Sequence, residues 1–144
     1  MGPIEPELIR IGGVTIHFFT TGADTGGHAD VFEVTVAPGA KVPVAHHHVE
    51  VDELVCGLEG VTTYTLDGTA HELRVGDRLF APKGKVHHFA NLHAVPARFL
   101  SVLTPATIGP QFFREVAAVA AEGPPDPAKI GAVMRKHGLV PVAG

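Results

Sequence analysis

A chain of 144 residues, 45% of them hydrophobic, is one domain's worth of sequence with enough apolar material for a single core. A formal charge of −4 offers no basic field to a phosphate backbone, which sets nucleic acid aside as a partner. No apolar run approaches the roughly 18 residues that cross a bilayer and no export-type start is present, so the cytoplasm is the expected setting, and the single cysteine, Cys56, excludes an internal disulfide or a multi-cysteine metal site.

From Leu8 to Leu103 the chain is a succession of short runs rich in Val, Ile, Thr and Phe, broken by Gly, Pro and Asp. This punctuation predicts strands at Val14–Thr20, Val31–Val36, Glu53–Leu58, Val61–Leu66, Thr69–Val75, Arg78–Ala81, Val86–Ala90 and Ala97–Leu103. Gly22 to Gly27 has no periodicity and is expected to be an exposed loop. Asp67-Gly68 tolerates positive φ at both positions and suits a two-residue type I′ hairpin turn; Gly76-Asp77 marks another turn.

Beyond Pro110 the period changes. Phe112, Phe113, Val116, Val119 and Ala120 recur every three or four residues, which predicts a helix over Gln111–Ala121. Gly123-Pro124-Pro125 breaks it, Asp126 can cap a new helix, and Pro127 suits a first helical turn, so a second helix is expected over Pro127–His137. Strands first and helices last favour an all-β antiparallel sandwich or barrel over residues 1–110. Residues 111–144 then form a helical tail packed on it as part of the same domain, covering a sheet rather than closing a mouth.

Six of the ten histidines fall in two short stretches. On a strand, His46 and His48 project from one face and His47 from the other. Glu53 lies five residues beyond His48, an odd interval that would reverse its face on an unbroken strand, so a turn or bulge within Val49–Asp52 is required to bring it back. His87, after Pro82-Lys83-Gly84, can supply a third imidazole. Three neutral nitrogens and a carboxylate suit one divalent transition metal ion, Fe2+, Mn2+, Ni2+, Cu2+ or Zn2+, with positions left open for water or substrate. Taken alone, the clusters are equally consistent with a solvated surface run.

Two longer patterns surround these residues. The first is Gly39, six residues, His46, one residue, His48, four residues, Glu53, six residues, Gly60. The second is Gly76, five residues, Pro82, one residue, Gly84, two residues, His87, three residues, Asn91. Together they resemble the paired motifs of the cupin superfamily, the first with one extra residue after its leading glycine and the second without departure. The resemblance implies a double-sheet jelly-roll barrel with the metal inside, reached from one open end, and it places His46, His48, Glu53 and His87 at the ligand positions. It also implies a homodimer and a likeness to quercetin dioxygenase-type cupins.

Alternation puts His47 and His88 on the far side from the ligands, while His71 and His93 are expected at the surface. Asn91 is expected to tie a turn through its amide. Ser101, the only serine, lies in an apolar run without a glycine elbow and is read as structural, and Cys56 as a thiol packed on the outer face. Val55 and Phe89 share faces with Glu53 and His87, and with Tyr64 they are candidates for an apolar substrate pocket. Glu53 is the candidate proton-handling residue. Three functions are compatible with this site: a dioxygenase-like oxidoreductase, a Lewis-acid isomerase, cyclase or decarboxylase, and a non-enzymatic module that binds a small molecule or metal.

Overall fold

In a computed structural model, which describes residues 5–142, the strands are β1 (Glu7–Ile11), β2 (Val14–Thr20), β3 (Asp30–Val36), β4 (His46–His48), β5 (Asp52–Glu59), β6 (Thr62–Leu66), β7 (Thr69–Leu73), β8 (Arg78–Ala81), β9 (His87–Ala90), β10 (Ala97–Thr104) and β11 (Leu139–Pro141). The helices are α1 (Gly22–Thr25), α2 (Gly109–Ala121) and α3 (Pro127–Lys136). All the strand pairs are antiparallel, in two sheets ordered β1-β2-β3-β10-β5-β8 and β11-β4-β9-β6-β7. The double-sheet jelly roll expected from the motifs is the fold that forms.

Alternation decides which side chains fill the space between the sheets. Val14, Ile16 and Phe18 of β2, Phe32, Val34 and Val36 of β3, and Phe99 and Leu103 of β10 are buried, and the apolar or polar residues alternating with them on the outer face are only partly so. The inward apolar side chains make the core, whose burial is the main term holding the sheets together. At the β6–β7 hairpin Asp67 has φ 50° and Gly68 φ 84°, the two positive values that a type I′ turn requires.

Three elements depart from the sequence expectations. β1 is not among the predicted strands, yet Ile9 and Ile11 point inward and the strand pairs with β2. The expected loop at Gly22–Gly27 contains the short helix α1, held by a reciprocal cap: Asp24 accepts from the Thr21 backbone N–H, and the Asp24 N–H donates to the Thr21 carbonyl. The tail is also more than helical. Its last element, β11, pairs with β4, so the chain after α3 completes the smaller sheet instead of merely lying on it.

The helices close the barrel. Phe112, Phe113 and Val116 of α2 and Met134 of α3 line the same cavity as the metal-site histidines, which corrects the expectation that the tail only covers a sheet. Their placement is set by where the edge strands lie. α2 packs against β1 and α3 against β11, the outer strands of the two sheets, and the helices pack on each other, so together they bridge the gap between the sheets. Arg114 Nε donates to Glu7 (2.6 Å), and Glu115 accepts from His137 (2.7 Å) and Lys136 (2.6 Å), tying α2 to β1 and to the end of α3. Asp126 caps α3 by accepting from the Ala128 and Lys129 N–H groups, as its position before Pro127 suggests.

Candidate metal centre

Register brings the histidines together. On the antiparallel pair β4–β9, His46 lies directly opposite His87, and His48 is two residues along on the same face. One nitrogen from each of His46, His48 and His87 lies within 4.8 Å of one from each of the others, and all three residues are buried. The His46 and His48 rings are stacked at 5.4 Å, while the His87 ring stands edge-on to them at 4.7 and 4.8 Å. His47 lies on the opposite face of β4 and His88 on the opposite face of β9, both half-buried, as alternation predicts.

Glu53 arrives from the other sheet. The chain bends at Val49 and Glu50, leaves β4 and re-enters on β5, which supplies the turn that the odd interval demanded. Glu53 is then buried on the inner face of β5, with its Oε1 3.3 Å from His87 Nε2. It sits beside the three histidines at one side of the group. The turn before β9 is equally specific. Lys85 N–H donates to the Pro82 carbonyl with Gly84 at φ 84° between them, a conformation open to glycine, and Gly84 N–H donates to the His48 carbonyl, so the turn is pinned to the histidine strand.

Hydrogen bonds select the nitrogens that face inward. His46 Nδ1 donates to the Val44 carbonyl (2.8 Å) and His87 Nδ1 to the Lys85 carbonyl (3.1 Å), which leaves a lone pair on each Nε2. His87 Nε2, like His47 Nδ1 and His48 Nδ1, is buried without a hydrogen-bond partner, and it faces the Glu53 carboxylate. Two acceptors in contact in a buried site need a cation between or beside them. A proton on His87 satisfies that pair alone, whereas a divalent ion satisfies the carboxylate and the three imidazoles together. The residues present therefore fit a transition metal ion, through their donor set and through the orphaned nitrogen.

The electrostatics prepare His46, His48 and Glu53 in that ligand state and push His87 the other way. Burial, aided by the neighbouring imidazoles, pulls His46 down to about 3 and also lowers His48, so both are neutral ligands at physiological pH. Burial opposes ionisation of Glu53, but its contact with His87 and the attraction between the two overcome this and hold its carboxyl at about 2. His87 shows the reciprocal balance: burial pulls it down, and Glu53 more than restores it, leaving it raised. Burial and the adjacent Glu53 charge push the Tyr64 phenol well above its usual value, so the hydroxyl keeps its proton.

Two side chains hold Glu53. The Ser101 hydroxyl donates to Oε2, and Tyr64 OH lies 3.4 Å from Oε1. Ser101 is a functional residue that sequence reasoning misses. The absence of a nucleophile motif says only that it is no nucleophile. Its signal is alternation with the buried Phe99 and Leu103, which points it inward; Leu103 pairs with Glu53 in register, so Ser101 is the diagonal neighbour on that face.

The remaining candidates separate clearly. Tyr64 and Phe89 line the cavity, with Phe89 edge-on to Phe99 at 5.2 Å, whereas Val55 is fully buried in the core and does not line it. Asn91 is fully buried and ties the segments around β9: its amide donates to the Val36 carbonyl (2.9 Å) and the Val95 carbonyl (2.8 Å), and its oxygen accepts from His93 N–H (2.9 Å). His71 is half-buried, and the exposed His93 pairs with Glu72 at 2.9 Å. Cys56 is half-buried on the outer face.

Residues 32–103, which contain the four site residues, match the family described as the cupin domain. The chain belongs to this family. An uncharacterised protein of Methanocaldococcus jannaschii is 27% identical over 97 residues, 67% of this chain and 77% of that protein. A cupin-superfamily sugar phosphate isomerase from Silicibacter pomeroyi is 29% identical, with a TM-score of 0.59 over 72% of this chain and 73% of that one. A predicted oxalate decarboxylase from Thermotoga maritima superposes with a TM-score of 0.63 over 71% of this chain and 93% of that one; at 24% identity the likeness is one of fold. The matched family segment ends at Leu103, so α2, α3 and β11 lie outside it.

Proposed function

We propose that this cupin is a metal-dependent enzyme acting on a small organic substrate, a dioxygenase-type oxidoreductase that binds substrate and O2 at a centre formed by His46, His48, Glu53 and His87. The observation that carries the reading is the buried contact between the unpartnered His87 Nε2 and the Glu53 carboxylate, with two neutral imidazoles converging on the same point. A redox-active divalent ion, Fe2+ or Ni2+ for example, supplies open coordination positions when bound. The protein's own residues do the rest. Ser101 fixes Oε2 of Glu53, while Oε1 faces His87 Nε2 at 3.3 Å and can relay the proton of a substrate hydroxyl to solvent. Tyr64 keeps its proton and can donate to an oxygen of the substrate, and the apolar walls exclude water from the reacting atoms.

Oxygen uptake by protein loaded in turn with Fe2+, Mn2+, Ni2+ and Cu2+, screened against enediols, diketones and flavonols, tests this directly. Uptake with at least one pairing, lost in His87→Ala, is the expected result. No uptake with any pairing contradicts it.

A second reading, non-oxidative Lewis-acid chemistry with Glu53 moving a proton, is favoured by the 29% identity to the sugar phosphate isomerase. Turnover retained with Zn2+ under strict anaerobiosis would select it. The cavity speaks against a sugar as the substrate in either reading, because among the described residues Tyr64 is the one polar side chain lining it apart from the metal-site residues, and a sugar needs partners for several hydroxyls. A cytoplasmic setting and a homodimer belong to the same proposal. Cell fractionation checks the first, and a sedimentation mass of about 15 kDa at micromolar concentration would remove the second.

A further inference from the structure

Resting on that reading of the metal centre, we infer that the substrate is a small, uncharged, largely apolar molecule that chelates through two oxygens and gives up one proton on binding. The wall built by the chain outside the family segment selects it. The cavity beside the histidines is about 70 Å³. One water needs roughly 10–15 Å³, so this space admits a group of several heavy atoms.

The lining is apolar except for the four site residues and Tyr64, and none of the chain's 11 Lys and Arg residues contributes to it. Of the cations next to lining residues in sequence, Arg10, Lys41, Arg114 and Arg135 are exposed, and Arg98, on the face of β10 opposite Phe99, is held outside by Glu33 (2.8 Å) and Glu59 (3.4 Å). A phosphate or second carboxylate entering this cavity would be buried without a counter-charge or a fork of N–H donors. Charge counting points the same way. A divalent ion with the Glu53 carboxylate and three neutral imidazoles carries one net positive charge. An enol or hydroxyketone that releases one proton to solvent brings the site to neutrality, whereas a dianion leaves an uncompensated negative charge among Phe and Val side chains.

The segments outside residues 32–103 supply much of this wall. Ile108, Phe112, Phe113, Val116, Met134 and Leu139 all come from beyond the matched segment, and Leu139 pairs with His48 across β11 and β4. Substrate choice is thus shared between the family segment and a part of the chain that does not supply the metal ligands.

The experiment compares ligands of similar size and different charge. Protein loaded with Co2+ is titrated anaerobically with acetylacetone, oxalate and glycerol 3-phosphate, following the cobalt absorption bands, and each Kd is divided by that for aqueous Co2+ in the same buffer. The expected result is a preference for acetylacetone of at least about tenfold on this scale, with one proton released. Equal or tighter binding of oxalate or glycerol 3-phosphate overturns the inference. Met134→Ala, or Val116→Ala if that variant does not fold, is expected to raise the binding of benzoylacetone relative to acetylacetone by about tenfold at unchanged cobalt content; an unchanged ratio removes the selecting role of the C-terminal wall. Failure to take up Co2+ at all would instead defeat the proposed function. The apolar cavity is then read from metal-free protein, where phenol should raise the melting temperature and glycerol should not; no rise with phenol overturns it.

Discussion

At Glu53 the protein buries a carboxylate and gives it one firm partner besides the metal-site histidines, the Ser101 hydroxyl. Partners of this kind fix the orientation of a metal ligand, and their loss typically weakens metal affinity about 10- to 100-fold. Ser101→Ala should therefore weaken metal binding by roughly tenfold, read in competition with a chromophoric chelator, while Ser101→Thr, which restores a hydroxyl, should recover most of it. Equal affinities for wild type and Ser101→Ala would reduce Ser101 to a packing residue. Asn91 is a residue of the opposite kind. It touches no ligand, yet Asn91→Ala leaves the Val36 and Val95 carbonyls without their buried donor and should cost about 2–3 kcal/mol in urea denaturation. His46 and His48 are legible in the sequence because strand period and motif agree on them, and His87 because the motif places it at a set distance from Pro82 and Gly84. Ser101 is not, since nothing in a single strand says which residue of the opposite strand it will meet.

Among the elements, most strands between β2 and β10 are readable, down to the four residues of β8, while the first and the last are not. β2, β3 and β10 declare themselves through alternating apolar side chains that the fold then buries. β1 and β11, with five and three residues, depend on their pairing partners, and for β11 that partner is distant in sequence. The role of the helices escapes the sequence for a related reason: an apolar stripe at Phe112 and Val116 shows that a helix packs on something, and the pairing of β11 with β4 decides that this something is the open side of the barrel. Asp30 shows how tightly these parts are joined. Fully buried on β3, it accepts from Gly22 N–H (3.0 Å) and Gly109 N–H (3.1 Å), holding the starts of α1 and α2 together. Asp30→Ala should cost about 2 kcal/mol through the two N–H groups left unpaired, and hydrogen exchange should quicken first at the N-terminal turn of α2. Loss spread evenly over the barrel would argue against this local role.

For the whole molecule, the site imposes a pH dependence on stability. In the metal-free protein the carboxyl of Glu53 lies at about 2, against 4.5 when unfolded, so its contribution is present above 4.5 and is lost as pH falls toward 2. His46, at about 3 against 6.5 unfolded, acts in the same direction: below 6.5 the unfolded chain takes up a proton that the buried ring refuses. His87 opposes them, since its raised value stabilises the fold below 6.5 and that contribution is lost as pH rises through it. Metal-free protein should thus lose stability steeply on acidification between about 6.5 and 3, and urea midpoints across that range would show it. Metal should deepen the dependence, because imidazole must be neutral to bind it. The central claim is that this barrel is built around one ion, and elemental analysis of the purified wild type beside His48→Ala tests it most directly. About one transition-metal ion per chain is expected in the wild type, lost or greatly reduced in the variant and after acid treatment. The same metal content in both proteins, or none in either after exposure to Fe2+, Ni2+ and Zn2+, would contradict it.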